Sequence, residues 1–180
     1  MKTLVNVIHP NLEGSSIVNK RWTEELRKYP EKFEVRNLYE IYPDGKINVT
    51  EEQKLVEAHN KIVFQFPIYW LSSPPLFKKW MDEVLSYGWA YGASSSYKLE
   101  GKKIALALTT SADEATYSDK GAFKYTLKEF TRPFEITFDW IKADYKPYFA
   151  FFGAPHTTDE AILKKVEQSA KEYVSFAESL

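Results

Sequence analysis

The sequence predicts an α/β domain with a five-stranded parallel sheet covered by helices on both faces. Two observations carry this. Five short apolar runs recur along the chain: LVNVI (4–8), FEVRNL (33–38), KIVFQF (61–66), KKIALALTT (102–110) and YFAFFG (148–153). Each has the length of a buried strand. Between most of them lie amphipathic segments with apolar residues three or four apart. Strands that alternate with helices need crossover connections, and crossovers make the sheet parallel. The simplest five-stranded sheet of this kind is doubly wound, in the order 2-1-3-4-5.

The elements follow in order. Residues 4–8 form a buried strand that ends at His9-Pro10. After a polar loop, Val18, Trp22, Leu26 and Tyr29 recur at helical spacing, with Ser15 or Ser16 as N-cap and Pro30 just past the end. Residues 33–38 are the second strand. Pro43-Asp44-Gly45 marks a turn, residues 51–59 a short helix, and residues 61–66 the third strand. Pro74 or Pro75 suits the first turn of the next helix, where a missing N–H costs nothing. Leu76, Trp80, Val84 and Tyr87 make its apolar stripe. Residues 102–110 are the fourth strand. A long loop with short helices is expected to about residue 142, then the fifth strand. Thr157 to Glu160 has the capping-box pattern, and a last helix buries Ile162, Val166, Tyr173 and Phe176.

The whole chain sets limits on function. Its 180 residues suit a single domain spanning 1–180, with no repeat or linker. A net charge of −1 gives no field that favours nucleic acid or an acidic membrane. With no cysteine, disulfides, thiolate catalysis and Cys-ligated metals are excluded. His9, His59 and His156 lack ligand spacing, so no metal site is expected. The apolar run in MKTLVNVIHP is too short for a signal peptide. No segment approaches the roughly 20 apolar residues of a membrane helix. A cytoplasmic protein with no stable membrane insertion is the expectation.

In a doubly wound sheet, ligands bind beyond the carboxyl ends of the strands. That edge gathers three loops: HPNLEGSSIVN (9–19), PIYWLSSPP (67–75) and TTSADEATY (109–117). The first enters a helix N-terminus, whose free N–H groups and dipole favour an anion such as phosphate. His9, Ser15, Ser16 and Asn19 can add donors. Read alone, the serines also serve as N-caps and His9 as a strand end. The loop contains neither GxxxxGK[ST] nor GxGxxG, which argues against a P-loop or a Rossmann turn. The second loop is uncharged and holds Tyr69 and Trp70 where polar residues are usual. It suits one wall of a pocket for a flat ring, or packing on a helix or a second subunit. The third offers the hydroxyls of Thr109 and Thr110 and the phenol of Tyr117.

These residues resemble a known family. His9-Pro10 with SSIVN (15–19), QFPIYWLSSPPLFKKWMDEVL (65–85), GWAYG (88–92), LEGKK (99–103), Thr109-Thr110 with Tyr117, RPFEITFDW (132–140) and Tyr148–Gly153 are similar to the flavodoxin-like NAD(P)H:quinone oxidoreductases. That group includes small bacterial NAD(P)H dehydrogenases, some of them ancillary subunits of potassium efflux systems. The resemblance spans nearly the whole chain, and the segment from Phe66-Pro67 through GWAYG is its most specific part.

The resemblance implies a flavodoxin-like three-layer sandwich that binds FMN, with FAD as the alternative. By position, His9, Ser16, Ile17, Val18 and Asn19 would hold the phosphate. Pro67, Ile68, Tyr69, Trp70 and Leu71 would flank the flavin ring. Thr109, Thr110, Ser111 and Ala112 would meet its pyrimidine edge, with Tyr117 over it as the catalytic side chain. NAD(P)H would pass a hydride to the flavin, and a quinone would then take it from the same site, in ping-pong fashion. A homodimer is implied, with GWAYGASSSY (88–97) and residues near Phe123–Phe130 as contacts. Two alternatives stand beside this: a redox-sensing ancillary subunit of a potassium efflux transporter, and a flavodoxin-type electron carrier. The chain departs from the family in Ser111-Ala112, where two glycines are common. It also lacks the histidine that animal members carry shortly after the tyrosine.

Overall fold

A computed structural model describes residues 1–155 and 159–180. Four strands, β1 (Thr3–Val7), β2 (Phe33–Asn37), β3 (Lys61–Pro67) and β4 (Lys103–Thr109), lie parallel in the order β2-β1-β3-β4. The fifth position is shared. β5 (Asp144–Tyr145) pairs with the first two residues of β4, and β6 (Phe149–Phe151) with the last three. Pro147 lies in the gap, where its missing N–H removes a ladder donor. The fifth strand read at 148–153 is β6, and β5 before Pro147 is an extra piece that the reading missed; the order 2-1-3-4-5 holds.

Alternation along each strand divides the core in two. Leu4, Ile8, Ile62, Phe64, Phe66, Leu106 and Leu108 face one side. There they pack on α4 (Val49–Ala58), α5 (Pro75–Val84) and α6 (Leu127–Trp140). Phe64 and Phe66 meet Phe77, Phe134 and Phe138 with ring centroids between 4.6 and 5.8 Å. Val5, Val7, Val63, Ala105 and Ala107 face the other side, against α2 (Val18–Leu26) and α7 (Glu160–Ser179). Two single-turn helices, α1 (Leu12–Ser15) and α3 (Leu38–Ile41), complete the chain path.

The structure corrects four local expectations. Residues 127–140 are one helix of 14 residues rather than short pieces. Thr126 and Glu129 close a capping box at its start, and its stripe of Leu127, Phe134 and Phe138 is buried despite Pro133 inside it. Neither Ser15 nor Ser16 caps α2. Ile17 occupies that place without a side-chain cap, because the turn of α1 reaches Ser15 and Ser16 is extended. The helix after Pro74 stops at Val84, so Tyr87 lies beyond it and is exposed. Lastly, α2 stops at Leu26, so Tyr29 falls outside it and Pro30 lies four residues beyond the helix end. The capping box assigned to Thr157 falls outside the described residues. Among them, Asp159 caps α7 by accepting from the Ile162 amide at 2.9 Å.

Candidate active site

The carboxyl ends of β1, β3 and β4 open into a cleft of about 470 Å³. Its lining includes His9, Ser16, Ile17, Val18 and Asn19 from the first loop. Pro67, Ile68, Tyr69 and Trp70 come from the second, and Thr109, Thr110 and Ser111 from the third. Twelve of the residues expected at the site therefore come together. Ala154 and Pro155 also line the cleft. The sequence reading missed them, although they follow a strand that ends at the same edge.

The first loop presents donors. The N-terminus of α2 has no side-chain cap, so its leading N–H groups face the opening with the positive end of the helix dipole. His9 is nearly buried, and burial holds its imidazole below the ordinary 6.5, so it is neutral at pH 7. Its Nδ1 accepts from the Asn11 amide at 3.1 Å, which places the ring proton on Nε2 as a donor. Among the described residues, no lysine or arginine lines the cleft. An anion here must be held by amides, the imidazole and hydroxyls.

The second loop is strained. The amide of Tyr69 donates to the Ser72 carbonyl and the amide of Ser72 to the Tyr69 carbonyl, both at 3.0 Å. Between them Trp70 (φ 46°) and Leu71 (φ 62°) are left-handed. This is a two-residue primed turn, a geometry that normally takes Asn-Gly. Two bulky residues there are steric outliers. Trp70 is 99% exposed and repays the strain with no packing in the protein. Strain of this kind marks a functional site. The Ile68 amide anchors the loop to the Thr109 carbonyl at 2.8 Å. Leu71 sits on the turn but does not line the cleft.

The third loop is held from both sides. The Thr110 amide donates to the Phe151 carbonyl at 3.0 Å, and its own carbonyl accepts from Ala154 at 2.7 Å. The Thr110 hydroxyl donates to the Ala112 carbonyl at 2.7 Å, and Gly153 donates to that same carbonyl at 2.8 Å. Neither Ser111 nor Ala112 has a positive φ, so this backbone does not need the conformational freedom of glycine. Ala112 packs on the core and lies off the cleft wall. Tyr117 is also off the wall. Its ring is buried against Phe123, Phe130 and Phe152 at 5.0–5.8 Å. Burial raises its phenol above 10, and the Thr110 side chain beside it lowers it in part. The hydroxyl therefore stands behind Thr110.

A larger hollow of about 820 Å³ lies between α2 and α7 and shares Ser16 and Ile17 with the cleft. Its Lys20 is paired with Glu13 at 2.8 Å, and its Arg21 with Glu25 and Glu167. Its cations are already neutralised, so the smaller cleft is the stronger candidate. Among the described residues, no group of His, Asp and Glu has the arrangement of a metal site, and no helix is long and apolar enough to cross a membrane.

A family model described as flavodoxin-like fold matches residues 1–174. The chain belongs to the flavodoxin-like family. Among curated proteins, it is 45% identical to the uncharacterized NAD(P)H oxidoreductase YrkL of Bacillus subtilis, over 93% of this chain and 95% of that one. It is 44% identical to general stress protein 14 of the same organism, over 97% of both. The ancillary protein KefF of the glutathione-regulated potassium-efflux system of Klebsiella aerogenes is 32% identical over 98% of this chain and 97% of its own. The crystal structure of general stress protein 14 from Treponema denticola, in complex with FMN, is 45% identical, covers 99% of both chains and superposes with a TM-score of 0.93. A structure named as a tryptophan halogenase from Streptomycin violaceusniger is 43% identical over 95% of this chain and 97% of its own, with a TM-score of 0.87. An NADPH-quinone reductase from P. pentosaceus is 28% identical over 98% of both chains, with a TM-score of 0.84.

Proposed function

We propose that this flavodoxin-like chain is an NAD(P)H:quinone oxidoreductase that holds FMN in the cleft at the carboxyl edge of its sheet. The observation that carries the proposal is the strained turn at Trp70 and Leu71, which displays an unpacked indole beside a cleft rich in donors. A planar, acceptor-rich anion is what such a cleft recognises. The relative from Treponema denticola with FMN, and relatives named as NAD(P)H oxidoreductases, support the same reading.

The amides of Ile17, Val18 and Asn19, the Ser16 hydroxyl and His9 Nε2 would bind the phosphate. Pro67, Ile68, Tyr69 and Trp70 would flank the ring, with Leu71 shaping the turn. Thr109 and Ser111 would face the pyrimidine edge as donors. Thr110 and Ala112 would hold the loop behind them, since the Thr110 hydroxyl and amide donate to the Ala112 and Phe151 carbonyls and Ala112 lies off the cleft wall. When bound, the flavin supplies two-electron hydride chemistry between NAD(P)H and a quinone. Donors aimed at the pyrimidine edge stabilise the negative charge that gathers there on reduction. Tyr117 would support that edge through Thr110. An FAD alternative would extend past Ser16 and Ile17 into the hollow between α2 and α7.

The working unit would be a cytoplasmic homodimer. Tyr91, Ile136 and Trp140 are exposed around a groove floored by Met81 and Leu85, and the exposed Tyr87 ring sits edge-on to Tyr91. Phe123 and Phe130 turn inward onto Tyr117 instead, which leaves Tyr125 as the exposed aromatic of that segment. Likeness to KefF favours a second reading, an ancillary subunit of a potassium-efflux transporter. A net charge of −1 speaks against an acidic electron carrier.

The test is a visible spectrum of the protein with FMN added. Flavin bands that bleach under anaerobic NADPH and return with menadione are the expected result. That cycle needs neither halide nor indole, which separates it from halogenation. Flavin that binds but never cycles would favour the ancillary reading, with co-purification of a transporter as the follow-up. No flavin uptake would overturn the proposal.

A further inference from the structure

Gln65 stands beneath the cleft without lining it. It is fully buried on β3, where it heads the segment 65–85. Its Nε2 donates to the Asn19 carbonyl at 3.0 Å and to Asn19 Oδ1 at 3.2 Å, with Thr23 Oγ1 at 3.3 Å. Asn19, itself buried, then donates from Nδ2 to Thr109 Oγ1 at 2.7 Å. Asn19 and Thr109 both line the cleft. The chain thus runs from a strand interior, through the first turn of α2, to a hydroxyl on the cleft wall.

The direction of this chain is fixed by hydrogen-bond chemistry. A carboxamide has one donor end and one acceptor end. Because Gln65 presents N–H to Asn19, the acceptor end of Asn19 must face Gln65. Its donor end is left for Thr109. Thr109 Oγ1 therefore spends a lone pair on Asn19, and its own proton is free to point at a ligand. The reverse orientation of Asn19 would set N–H against N–H at Gln65. It would also make Thr109 donate inward and offer only lone pairs to the cleft.

We propose that Gln65 is a positioning residue: through Asn19 it holds the Thr109 hydroxyl as a donor toward the flavin and ties the first turn of α2 to the sheet. This rests on the flavin reading above. The bond that Thr109 would make to a flavin acceptor is worth about tenfold in affinity. Without Gln65, Asn19 is free to turn over and that bond is lost.

The test uses the full chain and FMN, with dissociation constants from flavin fluorescence and unfolding midpoints of the flavin-free protein in parallel. Gln65→Met keeps the volume and removes the donor. It is expected to raise the FMN dissociation constant about tenfold. Thr109→Val should do the same. The double variant should bind no more weakly than Thr109→Val alone, since both changes remove one bond. A purely structural role for Gln65 would lower the unfolding midpoint and leave this coupling absent. Unchanged FMN affinity in Gln65→Met, or losses that multiply in the double variant, would overturn the proposal. Should Gln65→Met fail to fold, Gln65→Leu, also uncharged and of similar volume, replaces it, with the same loss of about tenfold expected in Gln65→Leu and none in Gln65→Leu/Thr109→Val relative to Thr109→Val. A wild type that takes up no FMN would overturn the functional reading itself.

Discussion

Replacing Trp70 with asparagine should stabilise the flavin-free protein and weaken its hold on flavin. The indole is 99% exposed, so at about 25 cal/mol per Å² of buried apolar area its removal costs the fold almost nothing. Its φ of 46° is left-handed, a conformation that costs an L-residue about 1–2 kcal/mol and that asparagine tolerates. Relief of that strain should add about 1 kcal/mol. For a domain of this size that is about 2–4 °C in Tm, measured by calorimetry on flavin-free protein. With flavin the sign reverses. An aromatic platform under a planar ring contributes about 1–3 kcal/mol, so the FMN dissociation constant should rise about 5- to 150-fold. Fluorescence titration reads this directly. A lower Tm in the variant would mean that Trp70 packs on the protein after all. An unchanged dissociation constant would mean that the strain serves something other than the flavin.

Other outcomes follow from single residues. Glu52 is buried and accepts from Arg36 at 2.6 and 3.0 Å, from the Tyr42 hydroxyl at 2.6 Å and from Trp80 Nε1 at 2.8 Å. Glu52→Ala would strand Arg36 and should cost about 3–5 kcal/mol in urea unfolding. Burial pushes the Glu52 carboxyl up, but Arg36, Tyr42 and Trp80 outweigh it and hold it below 4.5. Its contribution is therefore complete above 4.5 and lost as pH falls through the folded value, and Glu52→Gln should flatten the acid limb of stability. His9 is held below 6.5 by burial, so stability should decline as pH drops under 6.5, and His9→Gln should remove that part of the slope. The Tyr173 hydroxyl is buried with no partner among the described residues. Tyr173→Phe should leave Tm unchanged or raise it, since an unmet polar group costs about 1–3 kcal/mol. Trp140→Lys should shift a homodimer toward monomer in light scattering, and a dimer that persists would place the interface elsewhere.

Much of the site was legible because its signals are local. His9-Pro10 ends a strand, Pro74-Pro75 opens a helix, and PIYWLSSPP is apolar where loops are not. Strand and helix periods then place the three loops on one edge without any knowledge of side-chain contacts. Local reasoning failed where a distant partner decided. Residues 127–140 read as loop and short helices, yet the burial of Phe134 and Phe138 against the Phe64 and Phe66 face makes them one helix that runs through Pro133. Ser15 and Ser16 read as caps, yet α1 takes in Ser15, Ser16 ends it, and α2 starts uncapped after Ile17. Tyr117 reads as a residue on the cleft, yet Phe123, Phe130 and Phe152 enclose its ring.

The sequence by itself determined the alternation of strands and helices, the doubly wound order and the edge at which the loops meet. Those follow from periodicity and turn chemistry, which act over a few residues. Only the tertiary structure decided which groups face the cleft as donors and which are consumed inside. The Gln65, Asn19 and Thr109 chain joins residues 46 and 90 positions apart. Hydrogen-bond direction across such distances exists only once β3, β4 and α2 have packed together.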